Sequence, residues 1–101
     1  HDYSAKIGTP VKSTANGRVS KSKYWGSFGN YIEIDHGNGY ITAYGHLSNR
    51  SVKVGDKVNR GQKIGEVGNT GRSTAPHLHY EVQYKNKAVD PSPFYFDIPV
   101  N

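Results

Sequence analysis

The tract from Tyr31 to His46 constrains the fold more than any other part of the chain. Tyr31-Ile32-Glu33-Ile34-Asp35 alternates with period two, the pattern of a strand with one buried face. It runs into Asp35-His36-Gly37-Asn38-Gly39, a strong hairpin signal, and Tyr40-Ile41-Thr42-Ala43-Tyr44-Gly45-His46 returns as the partner strand. Residue choice elsewhere agrees. Val and Ile together number 15 against two Leu, with 12 aromatic residues, 12 Gly and only three Glu, which favours strands and tight turns over helices. No helical periodicity of useful length occurs, so a single all-β domain is expected: a small antiparallel sheet or sandwich with a central cleft.

The remaining segments fit that plan. Gly8-Thr9-Pro10-Val11 and Arg18-Val19 read as two short strands joined through an Asn16-Gly17 turn. Val52–Val58 and Gly61–Gly68 read as short strands punctuated by glycine, and Asn69–Pro76 as a loop. His77–Lys85 is the cleanest strand in the chain, with Lys87–Asp90 as a pairing partner. Pro91, Pro93 and Pro99 make the tail irregular.

Composition excludes several classes. There is no cysteine, which removes disulfides, thiolate metal sites and cysteine nucleophiles together. No stretch approaches the ~20 apolar residues of a transmembrane helix, and nothing resembles a signal peptide. The net charge is +5, but the lysines are scattered, so no nucleic-acid partner is expected; another anionic polymer is an equally good counterpart. The chain has no Met and begins at His1, so it is expected to be part of a longer product.

The candidate chemistry lies in His77-Leu78-His79-Tyr80-Glu81-Val82-Gln83-Tyr84. On a strand, His77, His79, Glu81 and Gln83 share one face, while Leu78, Tyr80, Val82 and Tyr84 turn to the core. Two imidazoles at this spacing can converge on one metal, or one can bind it while the other works as acid or base. A solvated strand face would carry the same pattern. His46 closes another strand, with Tyr40, Thr42 and Tyr44 expected on its own face, and Asp2 opens a third. A carboxylate and three imidazoles would suffice to activate a water on a metal.

Asp2-Tyr3, Gly8–Val11, Gly29-Asn30, Ile34-Asp35-His36-Gly37, Tyr44-Gly45-His46-Leu47 and Gly71–Glu81 occur in an order and spacing that resemble the M23 (LytM/lysostaphin-type) zinc metallopeptidase domain, over about residues 2–96. The resemblance implies a peptidoglycan endopeptidase with Zn2+ as cofactor. Asp2 and His79 match zinc ligands. His46 and His77 match the catalytic pair beside the attacking water and the scissile carbonyl, acting as general base and as stabiliser of the developing oxyanion. Glu81 and Tyr44 are expected near the site, orienting a ligand or lining the cleft.

The family's first motif places a further histidine four residues before the aspartate, which here would precede residue 1. His1 is adjacent to Asp2, and neighbours on a strand face opposite ways, so His1 is not expected to stand in for it. Residues 1–101 are therefore expected to form one M23 domain trimmed at its N-terminal edge, with weak zinc affinity by themselves. Ala75 replaces a glycine usual before the Pro-His pair. The family implies a secreted, periplasmic or wall-associated bacterial protein that meets peptidoglycan peptides, without membrane insertion and as a monomer. Both Gly-Gly bridges and D-amino-acid cross-links are cut within the family. The competing functions are a degenerate LytM domain that scaffolds or activates another wall enzyme, and a simple anionic-polymer binding module. His36 is expected to be an exposed turn residue. Tyr24, Trp25, Phe28 and Tyr31 are expected either to edge the substrate cleft or to pack the interior. Val54–Val58 with Gly61–Gly65 resembles the turns of lipoyl and biotinyl carriers.

Overall fold

Eleven consecutive residues, Tyr40–Arg50, form one strand with neighbours along both edges, and the rest of the sheet is arranged around it. The computed structural model describes residues 2–4, 6–68, 77–85 and 87–89, the side chains of residues 2–4, 77, 88 and 89 excepted. His1, the 69–76 loop with Ala75, and the tail from residue 90 lie outside the described residues.

Nine strands occur among the described residues: β1 (Asp2–Ser4), β2 (Pro10–Lys12), β3 (Gly17–Tyr24), β4 (Asn30–Gly37), β5 (Tyr40–Arg50), β6 (Lys57–Val58), β7 (Lys63–Val67), β8 (His77–Tyr84) and β9 (Lys87–Val89). All pairings are antiparallel. The main order is β1-β8-β5-β4-β3-β6, while β7 joins β5 to β2 and β9 pairs with β8. The sheet curls into a half-barrel. A 3-10 turn, Gly26–Phe28, bridges β3 and β4. No helix among the described residues is long and apolar enough to cross a membrane.

The β4–β5 hairpin forms as the sequence predicts. Gly37 pairs with Tyr40, and Asn38 and Gly39 between them have φ of 54° and 86°, the double left-handed turn that matches strand twist. The Asn16-Gly17 turn does not join a hairpin. β2 pairs with β7 instead of β3, because Asn16 is engaged on both sides: its carbonyl accepts from His36 Nδ1 at 2.7 Å and its side-chain oxygen accepts the Arg60 N–H at 2.7 Å. Val52–Asp56 is likewise a turn and not a strand. The Asp56 carboxylate accepts the Lys53 N–H at 3.0 Å, and strand pairing begins only at Lys57.

The core lies under one face of β4, β5 and β8. Ile32, Ile34, Tyr44, Tyr80, Leu78 and Val82 are all 0–1% exposed and pack with Val11, Val19, Leu47, Ile64 and Val67. Each such aliphatic side chain contributes about 1.5–3 kcal/mol by leaving water. The alternation expected for β8 is therefore realised at Leu78, Tyr80 and Val82. It leaves the opposite face of the same strands for the site.

Candidate active site

The first edge of β5 follows β4 from Tyr40 to Leu47, but the second edge is shared. Tyr40–Gly45 pairs with β8, and Leu47–Arg50 pairs with β7. The change of partner falls at His46. There β4 sets one residue, Tyr31, against two on β5, Gly45 and His46, and His46 takes a φ of 61°. An L-residue held in the left-handed region costs on the order of 1–3 kcal/mol and persists only where its surroundings enforce it. This bulge also resets the strand's parity. Tyr44 points into the core, and the His46 ring lies among residues of the other face.

On that face the His46 and His79 rings are 6.1 Å apart between centroids and nearly perpendicular, at 79°. Phe28, delivered by the 3-10 turn, stands 5.3 Å from the His79 ring and 6.5 Å from that of His46. Gly45 is the β5 partner of His79, and a Cβ added at Gly45 would sit 3.4 Å from the His79 Cβ and 3.5 Å from the Phe28 ring. These are ordinary van der Waals distances, so the His79 and Phe28 side chains close over Gly45 in direct contact with its backbone.

His79 is half-buried. Its Nε2 is a buried atom and lies 3.6 Å from Glu81 Oε1. The other Glu81 oxygen accepts from Gln83 Nε2 at 3.3 Å, so the carboxylate is steadied from behind. β1 runs along the outer edge of β8 with Asp2 opposite His79 and Ser4 opposite His77. Partner positions of an antiparallel pair share a face. The register therefore aligns Asp2, His79 and Gly45 on one rung, and Tyr31 meets that rung from β4. The side chains of Asp2 and His77 lie outside the described residues, and among those described no three His, Asp or Glu gather around one point. An aspartate paired with a histidine that backs onto a carboxylate nonetheless fits zinc, which takes imidazole and carboxylate ligands.

Tyr44, expected beside the site, is instead fully buried in the core. Its hydroxyl lies 2.9 Å from Thr42 Oγ1 and 3.3 Å from Thr14 Oγ1, and its ring packs 5.4 Å from Tyr80. Burial pushes its ionisation well above the usual phenol range. Nor does His46 share the face of Tyr40, Thr42 and Tyr44, since the bulge falls between. His36 is no idle turn histidine. Nδ1 bonds the Asn16 carbonyl and Nε2 bonds Thr42 Oγ1, each at 2.7 Å, which ties the hairpin to the crossing before β3.

Sequence reasoning passed over Glu33. It is 7% exposed and accepts the Tyr31 hydroxyl at 2.7 Å, with Lys21 Nζ 3.5 Å from the same oxygen. Burial and this acceptor hold the Tyr31 hydroxyl far above its ordinary ionisation. The signal was available: period two puts Glu33 on the face of Tyr31, and its rung continues through Ala43 to Glu81. The aromatic stretch divides. Tyr31 is buried, Phe28 half-buried against the histidines, and Trp25 and Tyr24 are 40% and 61% exposed.

The profile of peptidase family M23 matches residues 1–91. The chain belongs to peptidase family M23. It is 54% identical over 80 residues to the peptidoglycan DD-endopeptidase ShyC of Vibrio cholerae serotype O1, which covers 79% of this chain and 18% of that protein. The fold superposes with a TM-score of 0.86 on the catalytic domain of the antimicrobial peptidase lysostaphin from Staphylococcus simulans, at 41% identity, covering 92% of this chain and 74% of that one. A zinc containing peptidase from Vibrio cholerae superposes with a TM-score of 0.86 at 47% identity, covering 88% of this chain and 28% of the other. The matched region spans about a fifth of the length of the curated relatives.

Proposed function

We propose that this chain carries the active site of a zinc-dependent peptidoglycan endopeptidase that acts outside the cytoplasm on peptide cross-links. The observation that carries the reading is His46, held in a left-handed bulge at the point where β5 changes partner, with its ring 6.1 Å from that of His79. A fold that needed only a strand there would place glycine at such a backbone position.

In this reading Asp2 and His79 hold the zinc. With Nε2 turned toward Glu81, Nδ1 is the nitrogen that His79 offers to the metal, and the carboxylate fixes the ring's tautomer. Zinc, when bound, lowers the pKa of water to around 7 and polarises the peptide carbonyl. His46 and His77 flank the carbonyl. One takes a proton from the attacking water, and the other donates a hydrogen bond to the oxygen that gains charge. Phe28 stands beside the His46 and His79 rings and shields them from bulk water on that side.

Cross-links between D-amino acids are favoured over Gly-Gly bridges, because ShyC and ShyA, named as DD-endopeptidases, are 54% and 49% identical to the chain. Mass spectrometry of fragments released from purified peptidoglycan tests this. Loss of cross-linked dimers with gain of monomeric stem peptides is expected. Release of glycan fragments with intact cross-links would contradict it.

A further inference from the structure

We propose that Lys23, Lys21 and Trp25 form a carboxylate-binding subsite at the far end of the substrate cleft, a reading that rests on the peptidase function above. Lys21 and Lys23 alternate on β3 and pair with Glu33 and Tyr31, which places both on the site face. Their ammonium groups converge on one indole: Lys21 Nζ lies 4.6 Å and Lys23 Nζ 4.8 Å from the Trp25 ring centroid. The ring's negative face holds two like charges that would otherwise separate.

The two lysines differ. Lys21 is compensated by the buried carboxylate of Glu33 at 3.5 Å. No carboxylate among the described residues pairs with Lys23, which is exposed. Its charge is positioned by the indole and left to face solvent.

The indole is itself fixed. The ring stands edge-on to Tyr31 at 4.9 Å and 5.7 Å from Phe28, and the Trp25 backbone N–H donates to the Gly29 carbonyl at 2.7 Å, which closes the turn that carries it. Phe28 in turn touches His79 and His46, so a continuous wall of rings leads from the lysines to the catalytic histidines. Along the rung, β3, β4, β5 and β8 are successive neighbours, which separates Lys23 from His79 by three inter-strand spacings, about 14 Å at ~4.8 Å each. An extended peptide rises ~3.4 Å per residue, so a substrate lying across the strands brings a carboxylate about four residues from the scissile bond to Lys23. A peptide substrate with a free carboxylate at that distance would be held there, and the wall of rings suits aliphatic groups between.

Trp25 is the only tryptophan of the chain, so its fluorescence reports on the subsite directly. A synthetic stem pentapeptide with free carboxylates is titrated into the 101-residue chain, beside the same peptide with every carboxylate amidated, and beside inorganic phosphate at matched ionic strength. Saturable change with the free-acid peptide alone is expected, with Kd raised about threefold in Lys23→Gln and restored in Lys23→Arg. Equal responses to acid and amide, an equal response to phosphate, no response, or an unchanged Kd in Lys23→Gln would each overturn the subsite. Cell-wall hydrolysis measured alongside separates the two readings. Hydrolysis without a fluorescence response removes the subsite and leaves the peptidase, whereas a response without hydrolysis in the full-length protein removes the peptidase reading.

Discussion

The His46 and His79 rings stand nearly at right angles, 6.1 Å apart, on strands that pair only as far as the residue before His46. Gly45 still faces His79 across the ladder, and one residue later β5 has turned to β7. The site therefore sits where the sheet forks, and the backbone strain at His46 is what carries its ring across to the face of His79.

The strain at His46 is separable from its chemistry. His46→Gly and His46→Ala both remove the imidazole, but only glycine is at ease with a φ of 61°. Both variants are expected to be inactive, with the glycine variant more stable than the alanine variant by about 1 kcal/mol in urea unfolding. Equal stabilities would show that the left-handed backbone is not enforced.

In the proposed site, Glu81 would act on His79 from behind the metal position. Glu81→Gln keeps a partner for Gln83 but removes the charge 3.6 Å from Nε2. Zinc affinity of the full-length protein, read by competition with a chromogenic chelator, is expected to fall about 10- to 100-fold while the thermal midpoint of the metal-free protein barely moves. Unchanged affinity would leave Glu81 an ordinary surface carboxylate.

Tyr44 gives a pH signature to the fold. Its folded ionisation is raised by burial, and the unfolded phenol titrates near 10. The unfolded chain therefore loses a proton that the native state keeps once the pH passes about 10. Tyr44 stabilisation is fully present below that pH and is lost as pH rises toward the folded value. Urea midpoints are expected to hold level to about pH 9 and then decline, less steeply in Tyr44→Phe, which itself costs about 1–2 kcal/mol at pH 7 by leaving Thr14 and Thr42 short of a partner. Parallel pH profiles for the two proteins would contradict this.

Much of the architecture was legible because it rests on local rules. Period two in Tyr31–Asp35 and in His77–Tyr84 set which side chains face the core, and Asn38-Gly39 set the hairpin. What failed was non-local. The Asn16-Gly17 dipeptide has hairpin chemistry, but its polar groups are claimed by His36 and Arg60 from other parts of the chain, and β2 finds β7 instead. His46 and Tyr44 seemed to share a face because an alternation carries no mark of a bulge, which shows only in the pairing of β5 with β4. The same break separates Tyr44, a core residue, from the histidine two places on. Glu33 was overlooked for a different reason: a carboxylate between isoleucines reads as the solvent side of a strand until Tyr31 and Lys21 are seen to close over it.

The central claim is that His46 works in the chemistry while the other histidine of its hairpin, His36, only braces the fold. The direct measurement is the rate of soluble fragment release from purified peptidoglycan by the full-length protein, its His46→Ala variant and its His36→Ala variant, with zinc present. The account predicts a loss of about 100-fold or more for His46→Ala and a rate within about threefold of wild type for His36→Ala at temperatures where it remains folded. Wild-type release by His46→Ala would contradict it.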